Sequence, residues 1–249
     1  MNSSPGSYPP VPPDEVIAPA LPVGDPWERM AVLYAEVADA VDLDEVPVVL
    51  SGDCTTALAV VAGVQRAGVD PALVWFDAHG DLQTPETSTS GYLGGFPVRQ
   101  LVGGSDRSVP DRLGLRPVPE SDVLLVDARD LDPPEAEFLR GSAIRRVPVD
   151  AVVGALPEGP VHLHVDADVV DPGDLPGLRF PASAGPRLPQ VLSAVRAVLS
   201  TVPVVAVIRA RRRGSPRPGS GVGVEDRPDR LAVVVRGDPP MPAEALDDQ

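Results

Sequence analysis

The 249-residue sequence predicts one α/β domain, built as a three-layer α-β-α sandwich around a mostly parallel sheet. Short apolar runs typical of buried strands alternate with amphipathic helical segments along the chain. Three of the predicted strands end in acidic, histidine or cysteine residues: Val48–Ser51, Ala72–Phe76 and Val161–Val165. Because the carboxyl ends of parallel strands lie at one edge of a sheet, we expect a functional site at that edge.

Composition divides the chain into a domain and two flanking segments. Residues 1–26 are rich in Pro, Ser and Gly, which predicts an arm with little regular structure. The domain is predicted over residues 27–236, with a flexible loop near 214–229 where Gly, Pro and Ser are again dense. Residues 237–249 form a predicted acidic, Pro-rich tail.

The first half of the domain carries clear start and stop signals. Asp25 followed by Pro26 is typical of a helix N-cap and first helical position. Gly68 is typical of a residue just beyond a helix end. The predicted elements in order are a helix over Trp27–Val41, a strand over Val48–Ser51, a helix over Thr55–Ala67 and a buried strand over Ala72–Phe76.

The second half continues the alternation of strands and helices. Strands are predicted at Val123–Val126, Ile144–Val149, Val161–Val165, Val204–Ile208 and Leu231–Val235. Helices are predicted at Pro134–Arg140 and Arg187–Ser200, with a brief helical or turn segment over Ala151–Leu156. This order predicts helices on both faces of the sheet.

Asp77, His79 and Asp81 stand at every second position after the buried strand. If the backbone stays extended, the strand period places all three side chains on one side. Two carboxylates and an imidazole at one buried place need a positive charge between them, and a divalent metal is the usual solution. Taken alone, the motif fits a solvated strand end equally well.

Two other strand ends add donors of the same kind. Asp166 and Asp168 follow the strand that contains His162 and His164. Cys54 follows the first strand at a predicted helix start, where the helix dipole favours the thiolate; the competing interpretation is a small buried hydrophobic residue. Four carboxylates, one His and one Cys are enough ligands for two ions that share a carboxylate and activate a water.

These motifs resemble those of the ureohydrolase (arginase–agmatinase) family, which has Gly-Gly-Asp-His, Asp-Ala-His-x-Asp and Asp-x-Asp-x-x-Asp-Pro in this order. Cys54 and the Gly-Tyr-Leu-Gly-Gly at residues 91–95 resemble the branch that hydrolyses N-hydroxyarginine in cycloserine biosynthesis. The resemblance implies an arginase-like fold. It also implies these metal ligands: Cys54, Asp77, His79, Asp81, Asp166 and Asp168.

The resemblance implies a binuclear-metal hydrolase that cleaves a C–N bond of a guanidino or similar group, in an arginine- or N-hydroxyarginine-like substrate. Two divalent ions are expected, with Mn²⁺ favoured by the mostly oxygen ligands, although Cys54 could shift one site toward zinc or iron. The expected catalytic residues are Asp81 and His164. The expected substrate-binding residues are Gln83, Ser90, Tyr92, Asp130, Asp132 and Arg211.

Two departures from the family pattern leave alternatives open. Gly94 stands where arginases place a proton-shuttle His, and Arg211 stands where the family has a Glu that pairs with the guanidinium. An Arg beside a bound guanidinium costs several kcal/mol on the usual Coulomb estimate, about 4 kcal/mol at an effective dielectric of 20. The alternatives are a metal-binding pseudoenzyme or accessory protein, and a hydrolase of anionic or acyl substrates clamped by Arg211 or Arg209. A solvated basic turn is the plainer interpretation of these arginines.

The formal net charge of −15 argues against nucleic acid or anionic membranes as partners, so a small-molecule substrate is the expected partner. A single Cys, no apolar leader and no apolar run of transmembrane length predict a cytoplasmic protein. Members of the family often assemble as trimers or hexamers. A homo-oligomer is therefore one expectation, but no motif specifies an interface, and a monomer or dimer stays open.

Overall fold

The computed structural model describes residues 15–210 and the backbone of 232–237. Arg211, the loop predicted near 214–229 and residues 238–249 of the predicted tail lie outside the described residues. The predicted strand at Leu231–Val235 corresponds to a strand over Ala232–Gly237.

One eight-stranded sheet forms the centre of the fold, in the order β1-β8-β2-β7-β6-β3-β4-β5. Six adjacent strands, from β2 to β5 in that order, pair in parallel, whereas β8 is antiparallel to both of its neighbours. The largely parallel sheet is therefore confirmed. The strands are β1 (Glu15–Ile17), β2 (Val46–Ser51), β3 (Ala72–Asp77), β4 (Val123–Asp127), β5 (Arg145–Val147), β6 (Val161–Asp166), β7 (Val204–Ala210) and β8 (Ala232–Gly237).

Helices cover both faces of the sheet, which confirms the three-layer sandwich. Successive residues of β3 point to opposite faces, so Leu73 and Trp75 contact one apolar core and Val74 and Phe76 contact the other. Five helices pack on the Trp75 face and α6 packs on the Phe76 face. The helices are α1 (Pro26–Asp39), α2 (Ala57–Arg66), α3 (Pro97–Leu101), α4 (Ser108–Leu113), α5 (Pro133–Gly141) and α6 (Leu188–Thr201).

The amino-terminal segment departs from its prediction. Residues 15–17, inside the predicted unstructured arm, form β1 and pair antiparallel with β8. An edge strand offers unpaired backbone N–H and C=O groups, and these groups accept a partner whatever its side chains. The predicted start of α1 is confirmed, because the Asp25 side chain accepts a hydrogen bond from the Trp27 backbone N–H at 2.8 Å.

A short turn between β2 and α2 lies at the carboxyl edge of the sheet. A 3₁₀ turn over Cys54–Thr56 precedes α2, so the helix predicted from Thr55 begins at Ala57. The Asp53 side chain accepts a hydrogen bond from the Thr55 backbone N–H at 3.0 Å, which holds the turn in place. The side chain of Cys54 is buried against the carboxyl edge of the sheet.

The chain order of the parallel strands reverses next to β3. From β3 the chain moves outward to β4 and β5, and it then returns to the opposite side of β3 to form β6 and β7. A crevice forms at such a switch point, outside the carboxyl ends of the strands. No helix within residues 15–210 is long and apolar enough to cross a membrane.

Candidate metal centre

Three strand ends bring their donors together at this crevice. Asp77 ends β3, Asp166 ends β6, and Cys54 follows β2. The Sγ atom of Cys54 lies 2.9 Å from Oδ2 of Asp166 and 4.0 Å from Oδ2 of Asp77. The predicted convergence of the three strands is thus present in the structure.

His79 and Asp168 complete a second group on the other side of Asp77. The Nδ1 atom of His79 lies 3.3 Å from Oδ1 of Asp77 and 3.3 Å from Oδ2 of Asp168. One donor atom from each of Asp77, His79 and Asp168 falls within 4.8 Å of the others. Asp77 is therefore shared between two neighbouring groups of donors.

The donors after β3 converge through a turn and not through an extended strand, so the alternation prediction is wrong in its mechanism. The strand ends at Asp77, whose Oδ1 accepts the His79 backbone N–H at 2.7 Å. Asp81 adopts a left-handed backbone with φ of 53°. The loop bends because its N–H groups bond to carboxylates, which a spacing argument does not capture.

The carboxylates lie close together, and Asp77, Asp81 and Asp168 are buried. Burial raises the pKa of Asp77 to about 7, and the charge of Asp168 adds to the effect. Burial, followed by the charge of Asp77, also raises the pKa values of Asp81 and Asp166. The Oδ2 atom of Asp81 is buried and has no hydrogen-bond partner among the described residues. Carboxylates this close together require positive charge beside them.

A proton or a divalent cation can supply that charge. Burial alone would lower the pKa of His79, but hydrogen bonds to Asp168 and Asp77 raise it to about 12. Burial, and then Asp166 and Asp81, raise the pKa of the Cys54 thiol. Burial and the nearby carboxylates thus oppose the predicted thiolate form of Cys54 when no cation is bound. A bound cation would displace these protons.

The donor set fits two divalent cations. Two triads share Asp77: one is Cys54, Asp77 and His164, and the other is Asp77, His79 and Asp168, each with donor atoms within 4.8 Å. Oxygen, nitrogen and sulfur atoms are all ligands of divalent transition metals, and a shared carboxylate is the usual bridge between paired ions. The buried, unpartnered oxygen of Asp81 adds a further donor.

The pocket above these donors contains most of the predicted substrate-binding residues. Gln83, Ser90, Tyr92 and Asp132 line its wall, and Nε2 of Gln83 donates to Oδ2 of Asp132 at 2.7 Å. Asp130 lies beside the pocket, with Oδ2 3.9 Å from Nε2 of His79 and a side chain that is 66% exposed. Arg211 is outside the described residues, so its predicted contact stays a prediction.

The structure adds pocket residues that sequence reasoning missed. Asp53 accepts a hydrogen bond from the Tyr92 hydroxyl at 3.0 Å. Phe180 packs with its ring centroid 4.8 Å from that of Tyr92, and the guanidinium of Arg179 lies over both rings. The position of Asp53, directly before Cys54, is a signal that could have identified it. The loop that carries Arg179 has no periodic pattern, and nothing in the sequence indicates its direction.

Gly94 leaves room for an aromatic ring. A methyl group at Gly94 would overlap the ring and hydroxyl of Tyr92. The place where the resemblance implies a shuttle His is thus filled by a phenol from two residues earlier. That phenol is held by Asp53 and lies in the pocket wall.

His164, a predicted catalytic residue, lies beneath the donors and is fully buried. Its ring stacks on Trp75 with centroids 3.6 Å apart and an interplanar angle of 5°. Burial, and then His162, lower the pKa of His164, so its imidazole is neutral. One of its nitrogens lies within 4.8 Å of Cys54 Sγ and of an Asp77 oxygen, and its predicted catalytic role stays a prediction.

Comparisons with known proteins agree with this arrangement. Residues 14–207 match the Arginase family. The chain is 32% identical over 154 residues to the N(omega)-hydroxy-L-arginine amidinohydrolase of Streptomyces lavendulae, covering 60% of this chain and 55% of that protein. It is 32% identical over 169 residues to the arginase of Bacillus caldovelox, covering 61% and 56%. The matched region thus spans little more than half the length of these relatives.

A solved structure gives the same result for the fold. The crystal structure of arginase from Bacillus cereus superposes with a TM-score of 0.69 at 28% identity. The superposition covers 75% of this chain and 71% of that protein.

Proposed function

We propose, from the premise that this chain belongs to the arginase family, that it is a metal-dependent hydrolase of C–N bonds in guanidino compounds. The observation that carries the proposal is the pair of donor triads that share Asp77 at the base of a pocket. The relatives named above are an amidinohydrolase and an arginase, which supports the same class of reaction. An arginine- or N-hydroxyarginine-like amino acid, in specialised biosynthesis, is the substrate we favour.

The residues that would hold the metal are those of the two triads together with Asp81 and Asp166. Most of their donor atoms are oxygen, which favours Mn²⁺. Two divalent cations, when bound, supply a water of lowered pKa as the nucleophile. The protein contributes the rigid placement of the donors, because backbone N–H groups bond to the carboxylates of Asp77, Asp166 and Asp168.

Asp81 is the residue we assign to orienting that nucleophile. Its Oδ2 atom is buried and has no partner among the described residues, so it can accept a hydrogen bond from a water at the cluster. Accepting this bond aligns the water with the substrate carbon and gives its proton a place to go. A left-handed backbone at Asp81 sets the direction of the carboxylate.

The pocket wall offers separate places for the ends of an amino acid. Asp132, held by Gln83 at 2.7 Å, can accept a hydrogen bond from an α-amino group. Arg179 carries the positive charge that a carboxylate requires, and it lies over the rings of Tyr92 and Phe180. These two rings would pack against the alkyl chain between the amino acid and its guanidino group.

Arg179 also favours a second candidate function. A cation in the wall of an acidic pocket is suited to an anionic substrate, so a hydrolase of acidic or acyl (deacylase-type) substrates is the alternative. The two candidates differ in the bond they cleave, so guanidino and N-acyl substrates separate them.

The test is the release of urea or hydroxyurea from arginine, N-hydroxyarginine and agmatine by manganese-loaded protein. We expect turnover of the amino acids and a kcat/KM roughly tenfold lower for agmatine, which lacks the carboxylate; this corresponds to about 1.4 kcal/mol. Asp166→Asn, purified identically, excludes a contaminating enzyme. No release from any of the three would reject the guanidino hydrolase, and hydrolysis of an N-acylated amino acid assayed in parallel would support the alternative.

A further inference from the structure

His164 is a buried imidazole without a visible hydrogen-bond partner. Its side chain has no exposed surface, and neither ring nitrogen has a partner within residues 15–210. Leaving a buried polar group unsatisfied costs about 1–3 kcal/mol, so such a group requires an explanation. Stacking on Trp75 holds the ring in place but satisfies neither nitrogen.

The position of His164 provides that explanation. One of its nitrogens falls within 4.8 Å of both Cys54 Sγ and a carboxylate oxygen of Asp77. Asp166 is adjacent, with Oδ2 2.9 Å from the same sulfur. Sulfur, nitrogen and two oxygens thus approach one another from three strands, which is the number and mixture of donors that a tetrahedral zinc site uses.

We propose that Cys54, His164, Asp77 and Asp166 form a mixed-donor position selective for Zn²⁺, so that the centre holds two unlike metals. The inference rests on the binuclear centre of the proposed function and specifies one half of it. The other position, built from Asp77, His79 and Asp168, has mostly oxygen donors and suits Mn²⁺.

The chemistry of the donor atoms explains why this position prefers zinc over manganese. The Cys54 sulfur lies 2.9 Å from Oδ2 of Asp166 and within 4.8 Å of a His164 nitrogen, so a cation held at this position bonds to sulfur and to nitrogen. Binding is balanced as Zn²⁺ replacing one thiol proton, which is released to solvent. Thiolate and imidazole suit zinc, whereas carboxylate and water suit manganese.

His162 provides a matched control in the same strand. It is also fully buried, faces the same side of the sheet, and has no hydrogen-bond partner among the described residues. Its ring centroid is 6.5 Å from that of His164, one pleat further from the donors. His162 and His164 are equally buried, but only His164 lies near the donor atoms. Comparing variants of the two therefore distinguishes a metal ligand from a residue that only packs in the core.

The experiment is zinc-edge X-ray absorption on protein reconstituted with one equivalent each of zinc and manganese, with zinc affinity measured by competition. In wild-type protein we expect a sulfur at about 2.3 Å and an imidazole nitrogen at about 2.0–2.1 Å in the same shell. His164→Phe keeps the stacked ring. We expect it to lose the imidazole signal and to lower zinc affinity at least about 100-fold, because a ligand itself is removed and even its outer-shell supports are worth 10- to 100-fold.

Two further variants serve as controls. His162→Phe should leave the zinc shell and the affinity unchanged, and Cys54→Ser should remove the sulfur even if His164→Phe fails to fold. A wild-type zinc shell without sulfur, or an unchanged shell in His164→Phe, would overturn the inference. If the protein hydrolysed guanidino compounds but gave either of these zinc results, only the zinc inference would be rejected. A zinc shell as expected without any guanidino hydrolysis would reject only the proposed function.

Discussion

The side chain of Asp81 lies in an electrostatically unfavourable environment. It is buried, has an unpartnered oxygen among the described residues, and lies near the charges of Asp77 and Asp166. A carboxylate in such a place destabilises the fold unless a cation is bound. The same residue should therefore affect stability with opposite signs in the presence and absence of metal.

Asp81→Asn tests this at neutral pH. Without metal, we expect the free energy of unfolding to rise by about 1 kcal/mol, because one buried charge is removed. With manganese, we expect less metal-induced stabilisation and a kcat lower by roughly 100-fold or more, because the water loses its hydrogen-bond acceptor. Thermal unfolding with chelator and with metal measures both effects.

Asp53→Asn is the control of opposite sign. Asp53 accepts hydrogen bonds from the Thr55 backbone, the Thr55 hydroxyl and the Tyr92 hydroxyl. Its substitution should lower stability by about 1–2 kcal/mol with or without metal. If Asp81→Asn also destabilised the metal-free protein, the charge-conflict account of Asp81 would be wrong.

Gly94 sets the position of Tyr92. We expect Gly94→Ala to push the Tyr92 ring out of the pocket wall, because a methyl at residue 94 would overlap that ring. The predicted result is a severalfold rise in KM, with a stability loss of about 1–3 kcal/mol as for other overpacked sites. Gly95→Ala is the matched control, since its nearest contact beyond its chain neighbours would be 3.7 Å from Gln83. Equal kinetics for both variants would contradict this role of Gly94.

At the scale of elements, β6 carries two histidines into the core and two aspartates to its carboxyl end. Burial lowers the pKa of His162 to about 3. The unfolded chain takes up a proton at His162 near its ordinary pKa of about 6.5, whereas the folded chain does not. The stability that depends on neutral His162 is therefore present above about pH 6.5 and is lost as the pH falls toward 3.

His162→Phe should reduce this acid sensitivity. Between pH 7.5 and pH 5.0, we expect the variant to lose about 2 kcal/mol less unfolding free energy than wild-type protein, at 1.36 kcal/mol for each pH unit below 6.5. Urea unfolding at the two pH values measures the difference in chelated protein. An equal loss in both proteins would show that His162 is protonated in the folded state.

Helix α5 and the metal loop are joined by one carboxylate. Glu135 accepts the Leu82 backbone N–H at 2.9 Å and the Asp132 backbone N–H at 3.0 Å, so it caps its own helix and holds the loop after Asp81. We expect Glu135→Ala to lower the free energy of unfolding by about 2–3 kcal/mol and to weaken metal binding.

Glu137→Ala, in the same helix, is the control for Glu135. Glu137 is exposed and pairs only with Arg140 among the contacts described, a kind of pair that contributes about 0–1 kcal/mol. Urea unfolding and metal titration of both variants provide the comparison. If Glu135→Ala and Glu137→Ala were equally destabilised, the two backbone hydrogen bonds of Glu135 would not explain its contribution to stability.

For the whole molecule, the sequence predicted the sheet class, the strand ends that carry donors and four of the six helices of the described residues, because these depend on hydrophobic period and on local residue type. The sequence did not predict the short helices α3 and α4. It did not predict β1, whose pairing uses backbone groups alone. It also did not predict the turn at Asp81 or the contact of Arg179 with Tyr92, since both depend on where distant loops meet. The protonated state of Cys54 likewise depends on carboxylates from three separate segments.

The metal donors come from distant parts of the chain, so metal binding and the stability of the fold depend on each other. Cys54 follows β2, and Asp77 and Asp166 end β3 and β6, which are separated along the chain. The carboxylates repel one another once the fold brings them together. Cations that bind only the folded state stabilise it, by about 2.7 kcal/mol at a concentration 100 times the dissociation constant. Metal binding and folding should therefore be coupled throughout the molecule.

The most direct test of a two-cation hydrolase is turnover of N-hydroxyarginine measured against the number of divalent metal ions bound per chain, as metal-free protein is titrated with equal amounts of zinc and manganese. We predict that hydrolysis rises with bound metal and levels off at about two ions per chain, as expected for paired sites sharing Asp77. Full activity at one ion, or two bound ions without hydrolysis of any guanidino compound, would contradict this account.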